Sequence, residues 1–373
     1  MTLNESAAGR FSGGGFCLIL IELALRTEIH IWFFPAPIKF SPRERERLKM
    51  KKPFVFLSLS LFFAGLVLFN AFCCLASSGT IMVGTGDQKG VYHAAGLALS
   101  KALEQNKSGP RLKLVPTSGS VENLNKLLDG SFGLAIAQAD TAYSACQGEG
   151  LWKTPGPQKN LQAVCSLHTE AVTLVGRADS NIKTGRDLKG KAVAIGTKGS
   201  GTRANAIISL SNANLSLQSL GRAIEASPSE SAKLLAAGKI DAFFYTVGHP
   251  NKLIIELCQG PVKIRLAQLA KVDDPVFMRF KYFVYDRVSN LYYKNIANSV
   301  GVDTFGIKSC IFTTSRTSPG AVYDLLKALM KNLSLFRSQH PALERLSDYK
   351  MTEGLTAPLH AGALKYFKEI GLR

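Results

Sequence analysis

Ile81-Met82-Val83-Gly84-Thr85-Gly86, followed after three residues by Gly90-Val91-Tyr92-His93-Ala94-Ala95, is the stretch that decides the fold. A short apolar run closed by a Gly-Thr-Gly turn suits a buried strand. Past Gly90, Val91, Ala95, Ala98 and Ala102 fall on one helical face. The unit is strand, glycine-rich turn, helix. It recurs where Leu112 and Leu114 alternate with charged residues and lead into Thr117-Ser118-Gly119-Ser120. The helix that follows turns Val121, Leu124, Leu127 and Leu128 inward and ends at Gly130. Phe132 to Ala137 reads as the next buried strand.

Further along, Asp187-Leu188-Lys189-Gly190-Lys191 turns into a strand from Ala192 to Ile195. Gly199-Ser200-Gly201-Thr202 then opens a helix through Ala204, Ile207 and Ile208. Leu234 to Ala242 echoes Leu127 to Ala135, each a helix ending at glycine and feeding a strand. Two readings fit the echo: a pair of similar lobes, or the common grammar of helix, glycine and strand. Strands alternating with helices predict an α/β fold of two lobes, each a mostly parallel sheet flanked by helices. From Pro319 the pattern is helical, and this tail is expected to pack back on the first lobe.

The N-terminus follows another logic. Lys51 and Lys52 precede an apolar run from Phe54 to Phe72, and small residues follow at Ala76, Ser77 and Ser78. That is the order of an export signal over residues 50–76, with a retained membrane anchor as the competing reading. Met50 then reads as the initiator. Residues 1–49 are expected to be a mis-called extension, and Arg43-Glu44-Arg45-Glu46-Arg47 is the trace of a translated ribosome-binding site. The opposing reading is a genuine extension.

The chain has 373 residues with 45 Lys/Arg and 27 Asp/Glu; residues 1–76 take nine and five of these, leaving a formal charge of +14 on the rest. The cations are scattered and not interleaved with aromatics, so nucleic acid is not the expected partner. Attraction of anionic ligands and simple surface solvation both fit the charge. Beyond residue 76, the cysteines are Cys146, Cys165, Cys258 and Cys310, with no C-x-x-C and no zinc spacing. An exported chain permits disulfides, and Cys258 with Cys310 is the expected pair.

Three turns place glycine and hydroxyls just before a helix: residues 84–86, 118–120 and 199–202. Helix starts offer free N–H groups and the positive end of the dipole, which suits carboxylate or phosphate. Any one such turn is explained by ordinary capping; three across two lobes point to a shared cleft. The enzyme motifs fail in detail. Gly84-x-Gly86-x-x-x-Gly90 has one residue too many for a dinucleotide turn, Ala192 stands where a P-loop needs Ser or Thr, and Gly196 to Thr202 lacks the lysine. Neither H-E-x-x-H nor G-x-S-x-G occurs.

A specific set of motifs stands in order along the chain. It comprises Thr85-Gly86, Gly90-Val91-Tyr92 and Gly96, then Ser118-Gly119-Ser120-Val121-Glu122-Asn123, then Gln138-Ala139-Asp140 with Tyr143. Asp187-Leu188-Lys189-Gly190-Lys191, Gly199-Ser200-Gly201-Thr202-Arg203, Asp241-Ala242-Phe243 and Gly248-His249-Pro250 complete it. From near Ile81 to its end the chain thereby resembles the TAXI family, the substrate-binding subunits of one class of TRAP transporters. The resemblance implies a type II periplasmic-binding fold, a periplasmic location and a small anionic or zwitterionic ligand such as an organic acid or glutamate. It also implies a partner, the membrane permease of a TRAP transporter, driven by an ion gradient. Lys89 and His93 depart from the family pattern of Gly-Gly and paired tyrosines.

On this reading lobe 1 covers residues 77–170, lobe 2 covers 171–305, and 306–373 return to lobe 1. The ligand-binding set is Thr85, Gly86, Tyr92, Ser118, Ser120, Asn123, Gln138, Asp140 and Tyr143 from one side, with Ser200, Gly201, Thr202, Arg203, Tyr245 and His249 from the other. Ser200 and Thr202 are expected to donate to a ligand carboxylate, Arg203 to meet a second acidic group or a surface partner, and Asp140 to accept an ammonium. Lys89 either faces the ligand or lies exposed on its loop. No cofactor, metal or catalytic residue is expected, and the free protein is expected to be monomeric. A sensor that passes its ligand to a receptor is the alternative function; an enzyme on the same fold is a further one.

Overall fold

The computed structural model describes residues 80–105 and 110–373. The expected extension and export signal lie outside the described residues. Among the described residues, no helix is long and apolar enough to cross a membrane.

The first unit forms as its sequence dictates. Strand β1 (Ile81–Gly86) runs into helix α1 (Val91–Glu104), which buries Val91, Ala95, Ala98 and Ala102. Strand β2 (Leu112–Pro116), helix α2 (Ser120–Leu128), strand β3 (Leu134–Gln138) and helix α3 (Ala139–Gln147) follow. Gly130, just past α2, takes a φ of 90°, a turn that Cβ-bearing residues resist. β1 lies between β2 and β3, parallel to both. The second unit repeats the plan with β5 (Ala192–Ala194), α4 (Gly201–Asn212), β6 (Arg222–Ile224), α5 (Pro228–Ala236) and β7 (Ala242–Val247). Here β5 is parallel to both β6 and β7.

Two long strands join the halves. β4 (Leu161–Arg177) pairs antiparallel with β10 (Val302–Thr314) as far as Ala171, then with β7 from Ala171 to Gly176. β10 pairs with β9 (Val284–Val288) through Gly306 and with β3 from Ser309 to Phe312. β8 (Ile264–Ala267) adds to β4. The strand order is therefore β2-β1-β3-β10-β4-β7-β5-β6, a parallel trio at each end with antiparallel crossing strands between. This is a two-lobed α/β fold, with mixed parallel and antiparallel strands flanked by helices. Positions 170/171 and 305/306, the lobe boundaries expected from sequence, lie within the two crossing strands.

Each lobe has its own core. Val83, Leu99, Leu134 and Ile136 pack with Leu325 and Leu329 of α7 (Pro319–Lys331), Phe336 of α8 (Leu333–Ser338) and Phe367 of α9 (Ala361–Glu369). The C-terminal helices thus cover the first lobe. Phe243, Leu235, Ile254 of α6 (Lys252–Cys258) and Leu266 form the core of the second. A third cluster, with Leu124, Phe312, Phe305, Phe244 and Val193, runs beneath both. Truncating a fully buried Phe in such a cluster costs about 3–5 kcal/mol.

The expected disulfide is corrected. Cys146, Cys165, Cys258 and Cys310 are all free thiols. Cys258 is buried at the end of α6 in the second-lobe core, whereas Cys310 lies in mid-β10 in the cluster that runs beneath both lobes. Burial raises the pKa of each thiol, that of Cys310 to about 12.

Candidate functional site

The three helix-starting turns meet. Between the lobes lies a cavity of ≈ 60 Å³, walled by Thr85, Gly86 and Tyr92, by Ser118 and Ser120, and by Ser200, Gly201 and Thr202. The N-terminal ends of α1, α2 and α4 therefore face one space. A left-handed φ of 127° at Gly119 brings the second turn against the third, with an added Cβ 3.6 Å from Ser200. On Gly201 a Cβ would overlap the side-chain amide of Gln138, which would have to move and give up its bond to Asn205.

The turns are braced from behind. Thr117 Oγ1 accepts from Gly86 N at 3.1 Å and donates to Asn123 Oδ1 at 2.6 Å, while Asn123 Nδ2 donates to the Ile136 carbonyl at 2.8 Å. Asn123 is fully buried and does not reach the cavity; it holds the first two turns in register. Ser120 Oγ accepts from Gln138 N at 3.1 Å and lies 3.4 Å from the Tyr92 hydroxyl. Thr202 Oγ1 accepts from Thr246 N at 3.2 Å, which leaves its own proton available. Ser200 is different from expectation. Its hydroxyl donates to Thr197 O at 2.8 Å and accepts from Arg203 N at 3.1 Å, so it caps α4 and has no proton left for a ligand.

Glu170, on β4, supplies the charge. It is 3% exposed, lines the cavity and accepts from the Tyr92 hydroxyl at 2.6 Å. Burial, opposed by the Tyr92 hydrogen bond and reinforced by nearby Asp140, lifts its carboxyl to about 8. Tyr92, buried against that carboxyl, is held well above the ordinary phenol value. A cation entering the cavity would meet Glu170 and favour its ionised form. Sequence reasoning missed this residue, although a signal was present: it is the only acidic residue in Leu161 to Arg177. A lone acid in an otherwise buried strand carries a desolvation cost that packing alone does not explain.

The remaining expected residues divide. Gln138 and Tyr245 line the cavity. Gln138 also bridges the lobes, accepting from Asn205 Nδ2 at 3.0 Å. Asp140 is buried beyond the cavity wall and accepts from Thr141 N at 2.6 Å; burial raises it to about 6. Tyr143 stacks on Tyr282 with ring centroids 5.3 Å apart. Arg203 points outward to Glu225 at 2.9 Å. His249 is held by Thr173 at 2.8 Å and by the Tyr293 hydroxyl, and burial lowers its pKa to about 3. These four, like Asn123, are set on the wrong side of their elements to face the space. His93 donates to or accepts from Thr85 Oγ1 at 3.2 Å, behind the first turn.

Lys89 does not face the cavity. It pairs with Glu256 of the second lobe at 2.8 Å. Asp87 accepts from Ser229 Oγ at 3.2 Å, and Glu122 N donates to Gly199 O at 3.3 Å, so the lobes touch around the mouth and this is a closed arrangement. Among the described residues no Lys, Arg or His side chain lines the cavity; its acidic residues are Asp87 and Glu170. Anion recognition there falls to backbone N–H groups and hydroxyls.

The profile of the NMT1-like family matches residues 83–371. Among solved structures, the periplasmic aliphatic sulphonate binding protein SsuA from Escherichia coli is similar at 18% identity, covering 78% of this chain and 83% of that one, with a TM-score of 0.40. PhnD1 from Prochlorococcus marinus, in complex with methylphosphonate, is similar at 11% identity, covering 80% and 100%, with a TM-score of 0.48. The GluR0 ligand-binding core from Nostoc punctiforme, in complex with L-glutamate, is similar at 16% identity, covering 70% and 98%, with a TM-score of 0.41.

Proposed function

The chain belongs to the NMT1-like family, and from that premise we propose that it is an extracytoplasmic solute-binding protein that closes on a small zwitterion, an amino acid above all. One observation carries the reading: three helix starts from two lobes converge on a cavity whose opposite polar group is the buried carboxyl of Glu170. The helix starts, with the Thr202 hydroxyl beside them, suit a carboxylate. Glu170 suits an ammonium group, and it takes the place that sequence reasoning gave to Asp140. A purely anionic ligand would have to share the space with two carboxyls and no cation.

The closed cavity is smaller than the roughly 150 Å³ void that admits benzene. Entry therefore requires the lobes to part, and a ligand that bridges them shifts the population back toward closure. The crossing strands β4 and β10 are the natural hinge. Delivery to an ion-driven permease of the TRAP class follows from the motif resemblance and completes the proposed role.

The test is a calorimetric panel of amino acids, each beside its des-amino acid, with scattering before and after saturation. The expected result is saturable binding of an amino acid, weaker binding of its partner and a smaller radius when bound. Equal affinity for both members of a pair would remove the ammonium site from the reading.

A further inference from the structure

A second cavity lies next to the cleft and shares no lining residue with it. Glu170 and Val247 line the cleft; His168 and His249, two residues away in each case, line the second space. Its volume is ≈ 430 Å³, within the range of small-molecule sites. One wall is second-lobe structure, with Arg287 on β9 and Tyr292 just after it. The other is the C-terminal return, with Arg345 and Lys350. The floor is drawn from both crossing strands, through Thr169 of β4 and Lys308 of β10.

Four cations therefore line the cavity, Arg287, Lys308, Arg345 and Lys350, against two acids, Asp286 and Glu344. The two histidines add no charge near neutrality, since burial lowers both to about 3. Arg287 is engaged by Asp303, and Lys308 meets Glu353 only at 3.8 Å. Neither Arg345 nor Lys350 forms an ion pair among the described residues. Lys350 Nζ donates to the Arg345 carbonyl at 3.2 Å, which sets its ammonium beside the Arg345 backbone. Lys308 is largely enclosed, with 15% of its side chain exposed, so its ammonium is poorly compensated inside the fold. Among the described residues no Lys, Arg or His lines the cleft, whereas four Lys and Arg side chains line this cavity.

We propose that this cavity is a second binding site, taking a small oxyanion with two or more negative charges, and that its occupancy is linked to movement of the lobes. Arg345 and Lys350 hold the anion from the first-lobe side, Arg287 from the second, and Lys308 from the floor. A bound anion ties walls that belong to different lobes. Because those walls move relative to one another as β4 and β10 flex, the anion has different affinities for the open and closed arrangements. Reciprocity then requires that it alter the cleft's affinity by the same factor that the cleft ligand alters its own.

The experiment titrates citrate, and separately inorganic phosphate, into the purified chain by calorimetry at constant ionic strength. Scattering is recorded with and without the anion. The expected result is saturable binding of at least one probe at one site per chain, with a change in radius of gyration. In R345E/K350E, and independently in Lys308→Met, that binding weakens at least tenfold while the circular dichroism spectrum is kept; either variant suffices if the other fails to fold. Heats that never saturate, or binding that survives in the folded variants, would overturn the site. Saturable binding with an unchanged radius would overturn the linkage. An anion held at the cleft's helix starts would survive in the cavity variants, and the amino acid panel reads the cleft separately, so failure of either site is distinguishable.

Discussion

Replacing Glu170 by Gln isolates the one buried charge in the cleft. Gln keeps the size and an acceptor for the Tyr92 hydroxyl, 2.6 Å away in the wild type, so the wall should stand. What it removes is the carboxylate that answers a ligand's ammonium. Truncating one partner of a buried, hydrogen-bonded charge pair costs about 2–5 kcal/mol. The wild type, however, must first ionise a carboxyl held at about 8, which at pH 7 takes back on the order of 1 kcal/mol. The net loss in the variant is then about 1–4 kcal/mol, roughly a 5- to 1,000-fold weaker amino acid affinity. Two further signs follow. Wild-type affinity should rise on the order of tenfold between pH 6.5 and 8, with nearly one proton released per ligand at the lower pH. The variant should show neither the rise nor the proton. Calorimetry in two buffers of different ionisation enthalpy reads both quantities at once. A variant that binds as tightly as the wild type, with the same pH profile, would refute the assignment of Glu170 to the ammonium.

The same group predicts a stability slope: the folded chain keeps a proton on Glu170 that the unfolded chain has lost, so stability falls as pH rises from the ordinary carboxylate value to about 8. The buried His168 and His249, depressed to about 3, act in the opposite sense only below the ordinary imidazole value. Between pH 6.5 and 8 the unliganded protein should therefore lose up to about 2 kcal/mol, a shift of a few degrees in Tm, and Glu170→Gln should flatten the slope. Gly201→Ala should leave each lobe folded but block closure against Gln138, weakening the ligand at least tenfold and leaving the scattering radius large at saturation; closure at wild-type affinity would refute the close-approach argument. Lys89→Ala should matter little, because the pair with Glu256 is 47% and 40% exposed; a change beyond roughly 1 kcal/mol in ligand affinity would mean that it latches the lobes. Peptide mapping after alkylation in denaturant should find Cys146, Cys165, Cys258 and Cys310 all modified without reduction, and a Cys258–Cys310 cross-link would contradict the structure.

The turns were legible in the sequence because their chemistry is local. Glycine at a required φ, and hydroxyls one or two residues before a helix, encode a helix start wherever the chain later goes. That is why Thr85, Gly86, Ser118, Ser120, Gly201 and Thr202 could be read directly and now stand around one cavity. Facing was not legible in the same way. Thr202 turns inward while its neighbour Arg203 turns out to Glu225, and Gln138 faces the cavity while Asp140, two residues on, has entered α3 and does not. A motif names sequence neighbours, but the phase of the helix decides which of them see the ligand. Glu170 was the harder case. The lone acid in its strand was visible, but that it faces the cleft depends on where β4 crosses between lobes, a long-range fact that no local pattern records.

The distribution of charge has a physical rationale that joins these residues. The chain is strongly basic, yet among the described residues no basic side chain lines its cleft. A buried Lys or Arg in an empty cleft would need a counter-charge, or would pay for desolvation each time the lobes closed without ligand. Helix starts avoid that cost, since their partial charges are fixed in the backbone and present whether or not an anion arrives. Glu170 solves the mirror problem by titration. With the cleft empty it remains protonated and donates or accepts among Tyr92 and Gln138; with a cation beside it, it ionises. On the proposed reading both halves of a zwitterion are thereby met without a permanent charge on the buried Glu170 in the closed, unliganded arrangement. It follows that swapping a cavity hydroxyl for a cation, Thr202→Lys for example, should not strengthen carboxylate binding. The lysine would pair with Glu170 across the small cavity, fill it, and lower amino acid affinity, whereas a gain in affinity would show that the cleft is limited by missing positive charge.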